Sequence, residues 1–193
     1  EQAKLMESYG SDIIYVTDSA GAMAPDDIQA RIAAVKNAIS LPIGFHAHNN
    51  LGLAIGNTLA AIKAGAEVVD CTVRGLGAAA GNSQLEVLVA VLDKMGYSTG
   101  IDLYKVMDLA EQVVEPLMHR PLYINNAALC IGYAGAYGSF LLHAYRAGEK
   151  FSVDPRDILI EMGRRKTVGG QEDMIIDVAI ELAKRKKDNP LTV

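Results

Sequence analysis

A chain of 193 residues with 50% hydrophobic content can bury the core of one domain or slightly more. Its formal net charge of −5 disfavours a nucleic-acid-binding surface, and no apolar run reaches the ~18 residues of a membrane-spanning helix. Its two cysteines, Cys71 and Cys130, lie in apolar surroundings and favour reduced, buried thiols over a disulfide framework. With no leader pattern at its start, we expect a cytoplasmic protein without nucleic-acid or membrane partners.

The first half of the chain repeats a strand followed by a helix. Apolar runs predict strands at residues 12–16, 43–46 and 68–71, and helical spacing predicts helices from Pro25 to Ile39, at 53–63 and at 84–95. Strands that alternate with helices and carry nearly continuous apolar runs pair in parallel. The pattern therefore predicts three βα units of a doubly wound sheet or of a β/α barrel.

After residue 101 the strand signal disappears. Helical patterns cover residues 102–115, 126–146, 154–163 and 171–186, and Asp154 with Pro155 is a typical helix start. We place a boundary near residues 96–100. The predicted domains are a partial α/β catalytic domain at residues 1–98 and an α-helical domain at residues 99–193.

Two histidines close the second predicted strand. His46 and His48 are two residues apart, so their side chains share one face and can converge on a divalent cation. The alternative is a polar strand end with two surface histidines. Asp18 and Asn82, which follow the neighbouring strands, could complete the ligand set, but each could equally serve the turn in which it lies.

Two further motifs have structural alternatives. The glycine-rich segment 75–82 lacks the Gly-Lys-Ser/Thr ending of a phosphate-binding loop, so a tight turn after the strand explains it as well as a ligand cradle does. Tyr133 and Tyr137 are predicted to lie one helical turn apart, where core or interface packing is the alternative to a site role.

Several segments together resemble the 4-hydroxy-2-oxovalerate aldolases of bacterial meta-cleavage pathways. They are Asp18-Ser19-Ala20-Gly21-Ala22-Met23, His46-Ala47-His48-Asn49-Asn50-Leu51, Gly75-Leu76-Gly77 with Gly81-Asn82, and Tyr137. Those enzymes are metal-dependent pyruvate aldolases of the HMG-CoA-lyase-like superfamily, built on a TIM barrel. The resemblance covers the whole chain and implies the C-terminal three βα units of such a barrel, followed by an α-helical domain.

The resemblance also implies roles for particular residues. His46 and His48 would bind Mn²⁺, or another divalent cation such as Mg²⁺ or Co²⁺, and Ser19 and His46 would contact a small 2-keto acid. Tyr137 would orient or protonate the substrate as a catalytic residue. The implied reaction cleaves 4-hydroxy-2-oxopentanoate to pyruvate and acetaldehyde in aromatic hydrocarbon catabolism. The helical domain would contact an acylating acetaldehyde dehydrogenase.

The sequence departs from this family in one respect. The Arg-Asp pair of the first barrel strand and the His general base that follows it have no counterpart here, and a closed barrel takes ~250 residues. We therefore expect a C-terminal portion that is inactive alone and that self-associates as an oligomer through open sheet edges. The alternatives are a related lyase or Claisen synthase, and a non-catalytic interaction module.

Overall fold

The computed structural model describes residues 1–188, with side chains described to residue 186. Its helices and strands are α1 Gln2–Ser8, β1 Ile14–Asp18, α2 Pro25–Lys36, β2 Ile43–Ala47, α3 Ala54–Ala64, β3 Val68–Val69, α4 Leu85–Lys94, α5 Leu103–Asp108, α6 Asn126–Ala134, α7 Phe140–Phe151, α8 Pro155–Arg164 and α9 Met174–Asp188. The strands form a parallel sheet in the order β1-β2-β3, which confirms the predicted βα units. No helix within this range is long and apolar enough to cross a membrane.

One face of the sheet packs against helices. Ile43, Phe45 and Ala47 alternate along β2 and are at most 1% exposed, because they pack with Ile28 and Ile32 of α2. Residues two apart on a strand point to the same side, so the intervening residues of β2 point to the opposite face. Because Ile43, Phe45 and Ala47 face the helices, Gly44 and His46 face the opposite side of the sheet.

That opposite face carries rows of side chains from neighbouring strands. In the parallel register Tyr15 pairs with Gly44, and Thr17 pairs with His46. Gly44 is required because a Cβ there would lie 2.5 Å from Cδ2 and Cζ of the Tyr15 ring. The ring of Tyr15 thus crosses β2 one row below His46, and it remains 41% exposed.

The helical region has a separate core. Phe140, Ile158, Met162, Ile175 and Val178 are each 0% exposed, and they come from α7, α8 and α9. The predicted start of α8 is confirmed, since Asp154 accepts a hydrogen bond from the backbone N–H of Arg156 at 2.9 Å. Residues 189–193 of the predicted helical domain lie outside the described residues.

Two of the predicted helices are interrupted. In the helix predicted at 102–115, the α-helical part ends at Asp108 and a π-helix follows over Leu109–Val114. The helix predicted at 126–146 breaks at Gly135, whose φ of 64° ends α6 with a left-handed residue. The prediction that Tyr133 and Tyr137 lie one helical turn apart is therefore wrong, because Tyr137 lies in the turn between α6 and α7.

Candidate metal and substrate site

His46 and His48 lie at the carboxyl end of β2, on the sheet face away from the helices. Their ring centroids are 5.0 Å apart, with the ring planes at 77°. The side chain of His46 is 23% exposed, so it is accessible from this face. The structure thus brings the two predicted metal ligands together at the carboxyl edge of the sheet.

Each histidine uses its Nδ1 atom in a hydrogen bond. Nδ1 of His46 lies 2.5 Å from Oδ1 of Asp70, and Nδ1 of His48 lies 3.2 Å from the backbone oxygen of Asp18. A carbonyl oxygen and an ionised carboxylate only accept, so Nδ1 carries the proton and Nε2 keeps its lone pair. Burial lowers the pKa of His48, which favours the neutral ring at neutral pH.

Asp18 stabilises the turn that follows β1. Its side chain is 1% exposed, and its two carboxylate oxygens accept hydrogen bonds from the backbone N–H groups of Ala22 and Met23 at 3.0 and 3.1 Å. Both carboxylate oxygens are therefore already used in hydrogen bonds to backbone N–H groups. Of the two roles left open by the sequence, the turn role is the one that these contacts support.

Asn82 differs from Asp18 in having a free oxygen. It pairs with His48 in an isolated antiparallel bridge, and its Nδ2 donates to the backbone oxygen of Leu76 at 3.2 Å. Within residues 1–186 its Oδ1 is buried and has no hydrogen-bond donor. A buried acceptor without a partner calls for an explanation, and an oxygen ligand position beside His48 provides one.

Ser19 and Tyr137 line a second part of this region. Both border a cavity of about 500 Å³ between the turn after β1 and the helical region, which Thr17, Met23, Arg31 and Val168 also line. Tyr137 is 48% exposed, and its ring packs against Gly169, where a Cβ would lie 2.9 Å from Cε1. His46 and His48 do not line this cavity. The predicted site residues therefore form two adjacent pairs.

Comparison with known proteins identifies the family of this chain. The HMGL-like family model matches residues 1–113, and the DmpG-like communication domain matches residues 122–184. A protein of Carboxydothermus hydrogenoformans named 4-hydroxy-2-oxovalerate aldolase is 72% identical over 187 residues, which are 97% of this chain and 56% of that protein. The chain belongs to the HMGL-like family. It spans about half the length of the curated aldolases that it matches.

Solved structures agree with the HMGL-like fold. An HMG-CoA lyase from Acinetobacter baumannii is 29% identical, with a TM-score of 0.58 over 66% of this chain and 43% of that protein. The carboxyl transferase domain of Rhizobium etli pyruvate carboxylase is 20% identical, with a TM-score of 0.71 over 95% of this chain and 33% of that protein, and it shows similarity of fold alone. The sheet of this chain is part of an HMGL-like TIM barrel.

The described part of the chain holds an incomplete ligand set. Residues 1–186 contain no cluster of three or more His, Cys, Asp or Glu side chains that could hold a metal ion. Two imidazole nitrogens and the amide oxygen of Asn82 are nevertheless donor types that bind divalent cations.

Sequence reasoning missed Asp70 as a partner of His46. The sequence shows Asp70 in the third predicted strand but does not show the register, in which Val68 pairs with Gly44. Two residues further along each strand, Asp70 therefore comes beside His46 on the same face. A carboxylate that bonds the distal nitrogen of a ligating histidine is a common feature of metal sites in proteins.

Proposed function

We propose that this chain supplies the histidine portion of a divalent-metal aldolase site, which in the complete enzyme cleaves 4-hydroxy-2-oxopentanoate to pyruvate and acetaldehyde. The observation that carries the proposal is the shared arrangement of His46 and His48. Both present Nε2 because both Nδ1 atoms are bonded, to Asp70 and to the Asp18 carbonyl. Similarity to the Carboxydothermus protein named 4-hydroxy-2-oxovalerate aldolase supports the reaction class.

The residues that would hold the metal are His46 and His48 through Nε2 and Asn82 through Oδ1. Mn²⁺ is the expected ion, with Mg²⁺ or Co²⁺ as substitutes. When bound, a divalent cation would polarise the keto group of the substrate and favour the electron density that develops there as the carbon–carbon bond breaks.

Ser19 and Tyr137 would act on the substrate from the neighbouring cavity. A serine hydroxyl both donates and accepts, so Ser19 suits a keto acid oxygen. The Tyr137 hydroxyl can donate a hydrogen bond or a proton to the substrate, and its ring is held against Gly169. His46 would contact the substrate through its position at the metal site.

The remaining catalytic groups would come from sequence that the relatives contain and this chain does not. The chain matches 56% of the Carboxydothermus relative, and we propose that the unmatched part provides the Arg-Asp pair and the histidine base. In this view residues 1–98 are a partial catalytic domain. Residues 99–193 form the helical domain that contacts an acylating acetaldehyde dehydrogenase, a role supported by the communication-domain match. The chain alone would have negligible activity, self-associate, and belong to cytoplasmic aromatic hydrocarbon catabolism.

The test is Mn²⁺-dependent release of pyruvate from 4-hydroxy-2-oxopentanoate. It compares this chain with a hybrid in which the unmatched segment of the Carboxydothermus relative precedes it. We expect activity only in the hybrid, and a loss of at least about 100-fold in His46→Ala. His143→Ala removes an exposed histidine of the helical region and should leave activity unchanged.

Two results would contradict the proposal. Full activity in the His46→Ala hybrid would remove the metal assignment. Turnover of an acyl-CoA in preference to the aldehyde reaction would indicate a condensing enzyme instead.

A further inference from the structure

Asn50 is a buried side chain that bonds two different loops. It is 2% exposed. Its Nδ2 donates to the backbone oxygen of Ala20 at 3.0 Å, and its Oδ1 accepts from the backbone N–H of Ala80 at 3.1 Å. Within the described side chains, Asn50 alone is hydrogen-bonded to both loops. A primary amide suits this place because it donates at one end and accepts at the other.

The two loops carry residues of the proposed site. Ala20 directly follows Ser19, and Ala80 lies two residues before Asn82. Backbone bonds also join each loop to the segment after β2, from His48 N–H to the Asp18 oxygen at 3.4 Å and from Asn49 N–H to the Gly81 oxygen at 2.8 Å. Those bonds hold each loop separately, whereas the Asn50 amide spans the distance from one loop to the other.

Neighbouring segments pack closely around Asn50. A Cβ on Gly21 would lie 2.8 Å from the Asn50 backbone nitrogen, and a Cβ on Gly132 of α6 would lie 3.1 Å from the Asn50 Cβ. Two glycines therefore let separate segments close around this side chain. If the amide were removed, the Ala20 oxygen and the Ala80 N–H would lose a partner that water could not easily replace.

We infer that Asn50 is a positioning residue that fixes the spacing between Ser19 and Asn82 on either side of the histidine pair. Its two hydrogen bonds can be broken separately. Aspartate has the same shape and still accepts from Ala80, but it cannot donate to Ala20 when ionised. Alanine removes both bonds. The consequence for catalysis rests on the function proposed above, whereas the contact itself can be measured without it.

The contact is tested by amide hydrogen exchange at Ala80 in the ¹⁵N-labelled chain. We expect Asn50→Ala to speed exchange about 10-fold, the value of one ordinary hydrogen bond, and Asn50→Asp to leave it nearly unchanged. Asn49→Asp is the matched control, since it makes the same charge change one residue away. Asn49 accepts from the Ala54 N–H at 3.2 Å, which aspartate also does. Unchanged exchange in Asn50→Ala would overturn the inference.

The functional consequence is tested in the hybrid enzyme. Asn50→Asp frees only the Ser19 loop, so it should raise KM for the keto acid about 10-fold without weakening Mn²⁺ binding measured by electron paramagnetic resonance. Asn50→Ala frees both loops, so it should raise KM for the keto acid and also weaken Mn²⁺ binding. Equal losses in the two variants would mean a purely structural role and overturn the inference. A wild-type hybrid that neither binds Mn²⁺ nor cleaves the substrate would instead refute the proposed function, while the exchange result stands.

Discussion

The βα region and the helical region bury their apolar side chains in different ways. In the βα region, Phe45 and Ile43 pack against helices on one face of the sheet, while the opposite face keeps Tyr15 41% exposed and carries the histidines. In the helical region, α6 to α9 surround a common centre that includes Phe140 and Met162. The helical region therefore depends on its own core, whereas the sheet leaves one face available for chemistry.

The largest expected effect tests whether the helical core is independent. Phe140→Ala removes a ring that is 0% exposed, and it should lower the free energy of unfolding by about 3–5 kcal/mol. Hydrogen exchange should show lost protection in α6 to α9 and retained protection in β1 to β3. Leu142→Ala in the same helix is the control, because Leu142 is 56% exposed and should change stability by less than about 0.5 kcal/mol. Equal loss of protection in the sheet would mean that the two regions unfold together.

The two cysteines sharpen the comparison, because each region contains one. Burial raises the pKa of the Cys71 thiol to about 11, and burial also raises the pKa of Cys130. The reactive thiolate forms only as pH approaches the pKa, so Cys71 at pH 8 should react with iodoacetamide about 100-fold more slowly than in the urea-unfolded chain. Mass spectrometry of the alkylated peptides measures both sites. Alkylation of Cys71 at the unfolded rate would show that its side of the sheet opens readily.

Asp70 tests whether the open face of the sheet is organised for metal binding. Asp70→Asn removes the negative charge beside Nδ1 of His46 and should weaken Mn²⁺ binding by about 10- to 100-fold, with little change in melting temperature. Titration followed by electron paramagnetic resonance of the hybrid measures this. Asp12→Asn, an exposed position before β1, is the control. Unaltered affinity in Asp70→Asn would show that the His46 contact has no role in metal binding.

The smallest expected effect concerns a helix end in the βα region. Gly65 ends α3 with φ of +103°, and Gly56 lies inside α3 with no atom within 4 Å of a Cβ built there. Gly65→Ala should destabilise the chain by about 1 kcal/mol, while Gly56→Ala should stabilise it by about 0.5–1 kcal/mol. Urea unfolding of both variants measures the difference. The same sign for both would contradict the assignment of Gly65 as a left-handed cap.

Much of the βα region could be predicted because local patterns determine it. Ile28 and Ile32 share one face of α2, and Pro25 marks a helix start that the structure confirms. The shared face of His46 and His48 follows from strand alternation alone. The Asp70 contact required the register between β2 and β3, which the sequence does not state directly.

The helical region was harder to predict in detail. Gly132, Gly135 and Gly138 lie within one small-residue segment, and the sequence does not reveal which of them leaves the helical conformation. Only Gly135 caps a helix, with a left-handed backbone, and this moves Tyr137 into a turn. Gly132 instead allows α6 to approach Leu51, where a Cβ would lie 2.8 Å from Cγ. Such contacts depend on tertiary packing.

The Tyr15 ring fills the space above Gly44, one row below His46. A side chain at position 44 would need the space that the Tyr15 ring fills, so the two positions cannot enlarge independently. In evolutionary terms, we expect lineages of this family to change them as a pair, with a larger residue at one position accompanied by a smaller residue at the other. Such paired changes could alter the depth of the proposed site without any substitution at His46 or His48.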